Sequence, residues 1–99
     1  MATGDSVGTL VSKTNNSTLD IQPGVGAEWF VHSLFSEQGL SMEVYRVDDA
    51  TGTNKKKTMT LVGGEAQRLT MRVTNDRWIQ LKNVSGSTQF IGYEGVITK

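Results

Sequence analysis

Few side chains in this chain could do chemistry, and each has a plainer use. His32 is the only histidine. A catalytic triad would need a nucleophile and an orienting acid brought beside it in space. Ser33 and Ser36 are its sequence neighbours, but adjacent strand residues point to opposite faces, so His32 reads as a half-buried or interface histidine. Paired-carboxylate hydrolysis needs two acids facing one another. Glu28, Glu43 and Glu94 fall on separate strand-like runs and read as members of solvated faces. The run Asp48-Asp49-Ala50-Thr51-Gly52-Thr53-Asn54 carries the oxygen ligands calcium takes, but lacks the alternating spacing and closing Glu of an EF-hand. It reads as an acidic hairpin loop. Lys55-Lys56-Lys57 follows it and could bind phosphate. In a neutral chain such a run more often solvates a strand edge and protects it against unwanted pairing. Gly24-Val25-Gly26 follows a strand but precedes another strand rather than a helix, so a dinucleotide loop is excluded. No catalytic residue, cofactor or metal ligand is assigned, and the chain is expected not to be an enzyme.

The tryptophans point to adhesion. Strict alternation turns Trp78 outward with Gln80 and Lys82, beside Arg77. An exposed strand Trp calls for a partner or a ligand. Trp, Tyr, Met and Arg are enriched at interfaces, so subunit contact is the preferred reading. Packing within the chain and stacking on a sugar ring are the alternatives. The expected interface comprises Trp78, Arg77, Phe30, His32 and Tyr45.

These residues must be carried by short strands. Runs rich in β-branched and aromatic residues recur about every ten residues, at 7–13, 19–22, 27–36, 40–47, 55–62, 67–74, 77–84 and 88–98. Asn15-Asn16-Ser17, Gln22-Pro23-Gly24, Glu37-Gln38-Gly39, Gly63-Gly64, Asn75-Asp76 and Ser85-Gly86-Ser87 punctuate them. Pro23-Gly24 has the chemistry of a type II turn, and Asn75-Asp76 that of a two-residue hairpin loop. The run 27–36 is apolar on both sides, with Trp29, Val31 and Phe35 on one face and Phe30 and Leu34 on the other. Such a strand is central, or covered on its outer face by a second subunit. Gly92 and Gly95 mark a bulge or a close approach in the last strand. The best helix candidate, Glu65 to Leu69, is expected to be no more than a turn.

The prediction is therefore an all-β chain: an antiparallel β-sandwich of about eight short strands, jelly-roll-like, with an immunoglobulin-like sandwich or a small barrel as alternatives. Residues 7–99 form one domain. Met1, Ala2, Thr3, Gly4, Asp5 and Ser6 are small and polar and read as a flexible N-terminal arm.

Composition limits the partners. Ten basic and ten acidic residues balance, so no nucleic-acid partner is expected. No apolar stretch reaches the length of a membrane span, and no membrane partner is expected. The N-terminus lacks the basic and apolar regions of a signal peptide, which suggests synthesis in the cytoplasm. The absence of cysteine removes disulfides and thiolate metal sites.

Three segments together carry a resemblance: Ile21-Gln22-Pro23-Gly24-Val25-Gly26-Ala27-Glu28-Trp29; Leu69–Asn83, containing Thr74-Asn75-Asp76-Arg77-Trp78-Ile79-Gln80-Leu81-Lys82-Asn83; and Ile91-Gly92-Tyr93-Glu94-Gly95-Val96-Ile97. Their layout resembles small β-sandwich virion proteins of tailed bacteriophages, of the capsid decoration (cement) type. The resemblance implies a location in the virion after synthesis in the host cytoplasm. It implies the major capsid protein as a partner, and self-association as a homotrimer. Residues 1–6 become the candidate capsid-binding arm. A carbohydrate-binding module of a tail tip or fibre, with a glycan partner, is the alternative.

Overall fold

The computed structural model describes residues 3–37, 39–62 and 71–99. Eight strands run in chain order: β1 (Ser6–Lys13), β2 (Thr18–Ile21), β3 (Glu28–Phe35), β4 (Ser41–Val47), β5 (Lys55–Val62), β6 (Met71–Thr74), β7 (Trp78–Asn83) and β8 (Gln89–Ile97). They form two four-stranded antiparallel sheets, β1-β8-β3-β6 and β2-β7-β4-β5. The first strand pairs with the last, the second with the seventh, the third with the sixth and the fourth with the fifth. That nesting is a long hairpin rolled over on itself, the topology of a jelly roll. It sets aside the immunoglobulin-like and barrel alternatives.

Of the pairs of strands consecutive in sequence, β4 and β5 share a sheet as a hairpin. Asn75-Asp76 does make a tight turn, with the Thr74 amide donating to the Arg77 carbonyl at 2.7 Å. The hairpin expected there does not extend, because β6 and β7 diverge into opposite sheets after that one bridge. The corner is tied down by Gln22 Nε2 donating to the Asn75 carbonyl at 2.7 Å and by Asn75 Nδ2 donating to the Pro23 carbonyl at 3.1 Å. The turn expected at Pro23-Gly24 lies two residues later, with Val25 and Gly26 at its centre. Ala27 N–H donates to the Gly24 carbonyl, and Gly26 supplies the positive φ of 82° that this turn needs. Asn16, at φ 70°, takes the left-handed conformation expected of the 15–17 turn.

The core lies between the sheets. Ile21, Val31, Leu34, Met42, Val44, Ile79, Leu81 and Ile91 are fully buried. Trp29 and Tyr93 stack with ring centroids 6.3 Å apart. The β3 alternation departs from the expected one. The β3–β8 register slips between Val31 and Ser33, and a β-bulge at His32 reverses the phase of the strand. Leu34 therefore turns into the core, and Phe35 moves to the face of Phe30. Gly95 sits opposite Val31, beside that bulge. A Cβ on Gly92 or Gly95 would run into backbone of the neighbouring strand, so both are sites of close approach.

One polar cluster is buried within this core. Asn83, fully inaccessible, donates to the carbonyls of Lys13 and Ser87, each at 2.8 Å. Its own oxygen accepts from Ser85 and, at 2.8 Å, from the buried Gln89 Nε2. Every hydrogen-bonding position of the Asn83 side chain is used, which fixes where β7 turns towards β8.

The expected N-terminal arm is shortened. The Gly4 amide donates to Ile97 and the Ile97 amide to Asp5, so the chain is paired with β8 from Gly4 onward, and Ser6 already belongs to β1. Met1 and Ala2 lie outside the described residues. So do the Gly63-Gly64 turn, the candidate turn from Glu65 to Leu69, and the first four residues of the run 67–74; β6 is described from Met71.

Candidate functional site

The outer faces of the two sheets differ in kind. On β2-β7-β4-β5 the outward side chains form a largely self-paired polar ladder, with Val62 of β5 as an exposed apolar exception. Tyr45 Oη donates to Glu43 at 2.6 Å, and Lys57 Nζ lies 3.3 Å from the other Glu43 oxygen. Lys55 donates to Gln80, Gln80 donates to Asp20, and the Lys55 ammonium sits 5.5 Å from the centre of the Tyr45 ring. The Tyr45 hydroxyl, with Lys57 beside it, holds the Glu43 carboxyl below its ordinary value, against the opposing effect of burial. The same hydrogen bond raises the Tyr45 phenol.

The outer face of β1-β8-β3-β6 carries large exposed apolar side chains set among Ser6, Ser12, Ser33, Glu94 and Arg72. Its cross-strand rows follow from the register: Ser12 with Phe90; Leu10, Gly92 and Phe35; Gly8, Glu94 and Ser33; Ser6, Val96, Phe30 and Arg72. Leu10 is 61% exposed, Phe90 48% and Phe30 37%. Gly8 and Gly92 contribute no side chains, so a groove of about 390 Å³ runs along β1 between Leu10, Phe35 and Glu94. Leu10 and Phe90 lie in neighbouring rows and form an exposed apolar pair of the kind found at association surfaces, while Phe30 lies beyond the row of Gly8, Glu94 and Ser33. Of this face the expected interface contained only Phe30. Alternation already placed Leu10 opposite Val7, Thr9 and Val11, and that was the available signal. Phe35 could not be placed without the His32 bulge.

The other expected interface residues are dispersed. Tyr45 lies on the opposite sheet, within the polar ladder. His32 is half-buried at the bulge, with Nδ1 2.9 Å from Ser33 Oγ. Arg77 is exposed at one end of the sandwich, 3.4 Å from Asp48. Trp78 requires a correction, because it is only 4% exposed. Alternation does place it on the side of Gln80, but the 48–54 loop folds over it. Its indole N–H donates to the Asp49 carbonyl at 2.7 Å, and Gly52 lies against the ring. Val47, its partner across the strands, is buried with it. Trp78 thus packs within its own chain and presents no stacking platform.

That loop is shaped by Asp49. Its two carboxylate oxygens accept from the amides of Gly52, Thr53 and Asn54 and from the Thr53 hydroxyl. The Thr53 hydroxyl is the largest of the influences that lower the Asp49 carboxyl below its ordinary value. Both oxygens serve the loop. Among the described residues there is no group of three or more His, Asp or Glu placed to hold a metal. Glu28 pairs with Arg72 on one sheet, Glu43 lies on the other, and the two cannot face each other across a cleft.

No family model matches this chain, and no curated protein matches it. The fold is similar to a solved structure of Bacillus endospore appendages, described as a novel family of disulfide-linked pili. The TM-score is 0.52 at 12% identity, covering 96% of this chain and 86% of that one. A structure of the Drosophila NLP core, described in terms of pentamer formation and histone binding, has a TM-score of 0.48 at 15% identity, covering 96% of this chain and all of that one. At these identities the first likeness is one of fold. The present chain has no cysteine with which to form a disulfide.

Proposed function

We propose that this chain is a non-enzymatic structural protein that works by adhesion, and that its finer role is capsid decoration in a tailed bacteriophage. In this reading it is made in the host cytoplasm and joins the virion by binding the assembled major capsid protein. The observation that carries the adhesive reading is the contrast between the two outer faces. One is a polar ladder with Val62 exposed on its edge strand, and the other exposes Leu10, Phe30 and Phe90, with a shallow groove beside Leu10 and Gly8.

Magnitudes favour a repeated target. Fully burying a large apolar side chain gains about 1.5–3 kcal/mol, so covering the exposed parts of these three gains about 2–4 kcal/mol per protomer. Association costs roughly 4–15 kcal/mol before any gain appears. Two free copies meeting through this face alone therefore bind weakly. A regular lattice that repeats the contact, or a closed trimer seated on it, multiplies the gain. Binding only to the assembled shell then stabilises the shell by mass action. The glycan reading has lost the exposed indole on which it rested.

Co-sedimentation with empty shells assembled from the major capsid protein tests this. Saturable binding to shells, with no binding to unassembled capsid subunits, is the expected result. Absence of binding to shells at tens of micromolar refutes the decoration role.

A further inference from the structure

The lysine run at the start of β5 belongs to a larger arrangement than a protected edge. A groove of about 530 Å³ at this end of the sandwich is lined by Arg46, Asp48, Asn54, Lys55, Lys56, Thr58 and Arg77. Four of these side chains are cationic and one is acidic. The chain as a whole carries ten of each, so charge is segregated here. The register makes the crowding explicit, because Arg46 on β4 lies directly opposite Lys56 on β5. Like charges in directly opposed positions destabilise a sheet. Arg46 and Lys56 make no ion pair among the described residues. Arg77 is held by Asp48 at 3.4 Å, with both side chains more than half exposed, and such a surface pair is worth little. A second cleft, of about 600 Å³, shares Arg46 and Arg77 but adds the acids Glu28 and Asp76 with Arg72, which pairs with Glu28, so the positive excess belongs to the first groove.

A local arrangement that costs stability without a compensating contact marks a functional position. We infer that this groove binds a doubly charged oxyanion, a phosphate or sulfate group, gripped by Arg46, Lys56 and Arg77. Arginine presents a planar fork of donors matched to such oxygens, and lysine adds a mobile point charge. A bound dianion cancels the Arg46–Lys56 repulsion, which an isolated monovalent carboxylate does less completely. The site lies apart from the apolar face and does not depend on the capsid reading.

The test is an amide NMR titration of the full chain at pH 7 with inorganic phosphate and then sulfate, against sodium chloride at matched ionic strength. Saturable shifts confined to residues 46, 54–58 and 77 are expected. The Arg46→Gln/Lys56→Gln variant should lose at least tenfold in affinity while its thermal midpoint stays level or rises, since a like-charged pair has gone. Heparin chromatography separates the two sources of the group. Retention lost in the variant assigns the site to a sulfated or phosphorylated polymer, whereas phosphate binding without heparin retention assigns it to the free ion. Shifts that track ionic strength alone, shifts spread equally over Lys13, Lys82 and Lys99, or binding unchanged in the variant overturn the inference.

Discussion

Replacing Leu10 and Phe90 together by serine separates folding from adhesion. Leu10 is 61% exposed and Phe90 48%, so the folded monomer already leaves about half of each side chain in water. At about 1.5–3 kcal/mol per fully buried side chain, losing the buried remainder of both costs the fold about 1.5–3 kcal/mol, within the usual margin of about 5–15 kcal/mol. A partner that covers the face loses the whole exposed fraction. At about 1.5–3 kcal/mol per fully buried side chain, the pair accounts for about 2–3 kcal/mol of binding. With about 1.4 kcal/mol per factor of ten, affinity for assembled shells should fall roughly 30- to 150-fold. Sedimentation of variant and wild type over a range of shell concentrations measures the loss, and a urea midpoint confirms an intact fold. Thr18→Ala, on the outer face of the other sheet, is the control and should bind as wild type. If the double variant binds within about threefold of wild type while Thr18→Ala is the weaker binder, the apolar face is not the adhesive surface.

Three further outcomes follow from the packing. Trp78→Ala should destabilise the fold by about 3–5 kcal/mol, read as a lowered urea midpoint; a change under about 1 kcal/mol would mean that the loop does not bury the indole. Asn83→Leu strands the buried Gln89 amide and two carbonyls, each left at about 1–3 kcal/mol, so its urea midpoint should fall well below wild type, and an unchanged midpoint would refute the network. Asp49 and Glu43 both have lowered folded-state values, so their contribution is fully present above the ordinary carboxylate range and is lost as pH falls through the lowered values. Trp78 emission should hold steady from about pH 8 to 5 and shift to the red below about pH 4, with Asp49→Ala showing the loosened loop already at pH 7.

The sequence made much of the architecture legible and little of the working surface. Turn chemistry and ten-residue spacing located the strands, and Gly92 and Gly95 marked the close approaches in β8. Sheet membership was not local information. Asn75-Asp76 has the residues of a hairpin loop, yet the strands on either side part into opposite sheets because β6 finds β3 and β7 finds β2 and β4. Trp78 shows a second limit. Its alternation was read correctly, but its exposure depended on seven loop residues folding back over it under the control of one carboxylate. The His32 bulge is a third, because one unpaired residue exchanged the roles of Leu34 and Phe35 and so decided which of them joins the outer face.

Hydroxyl-radical footprinting of the chain, free and bound to assembled shells, tests the adhesive account most directly. The account predicts that Leu10, Phe30 and Phe90 are oxidised in the free chain and protected on the shell, while Tyr45 on the opposite face keeps its reactivity. Protection of Tyr45 with continued oxidation of Leu10 and Phe90 would contradict it.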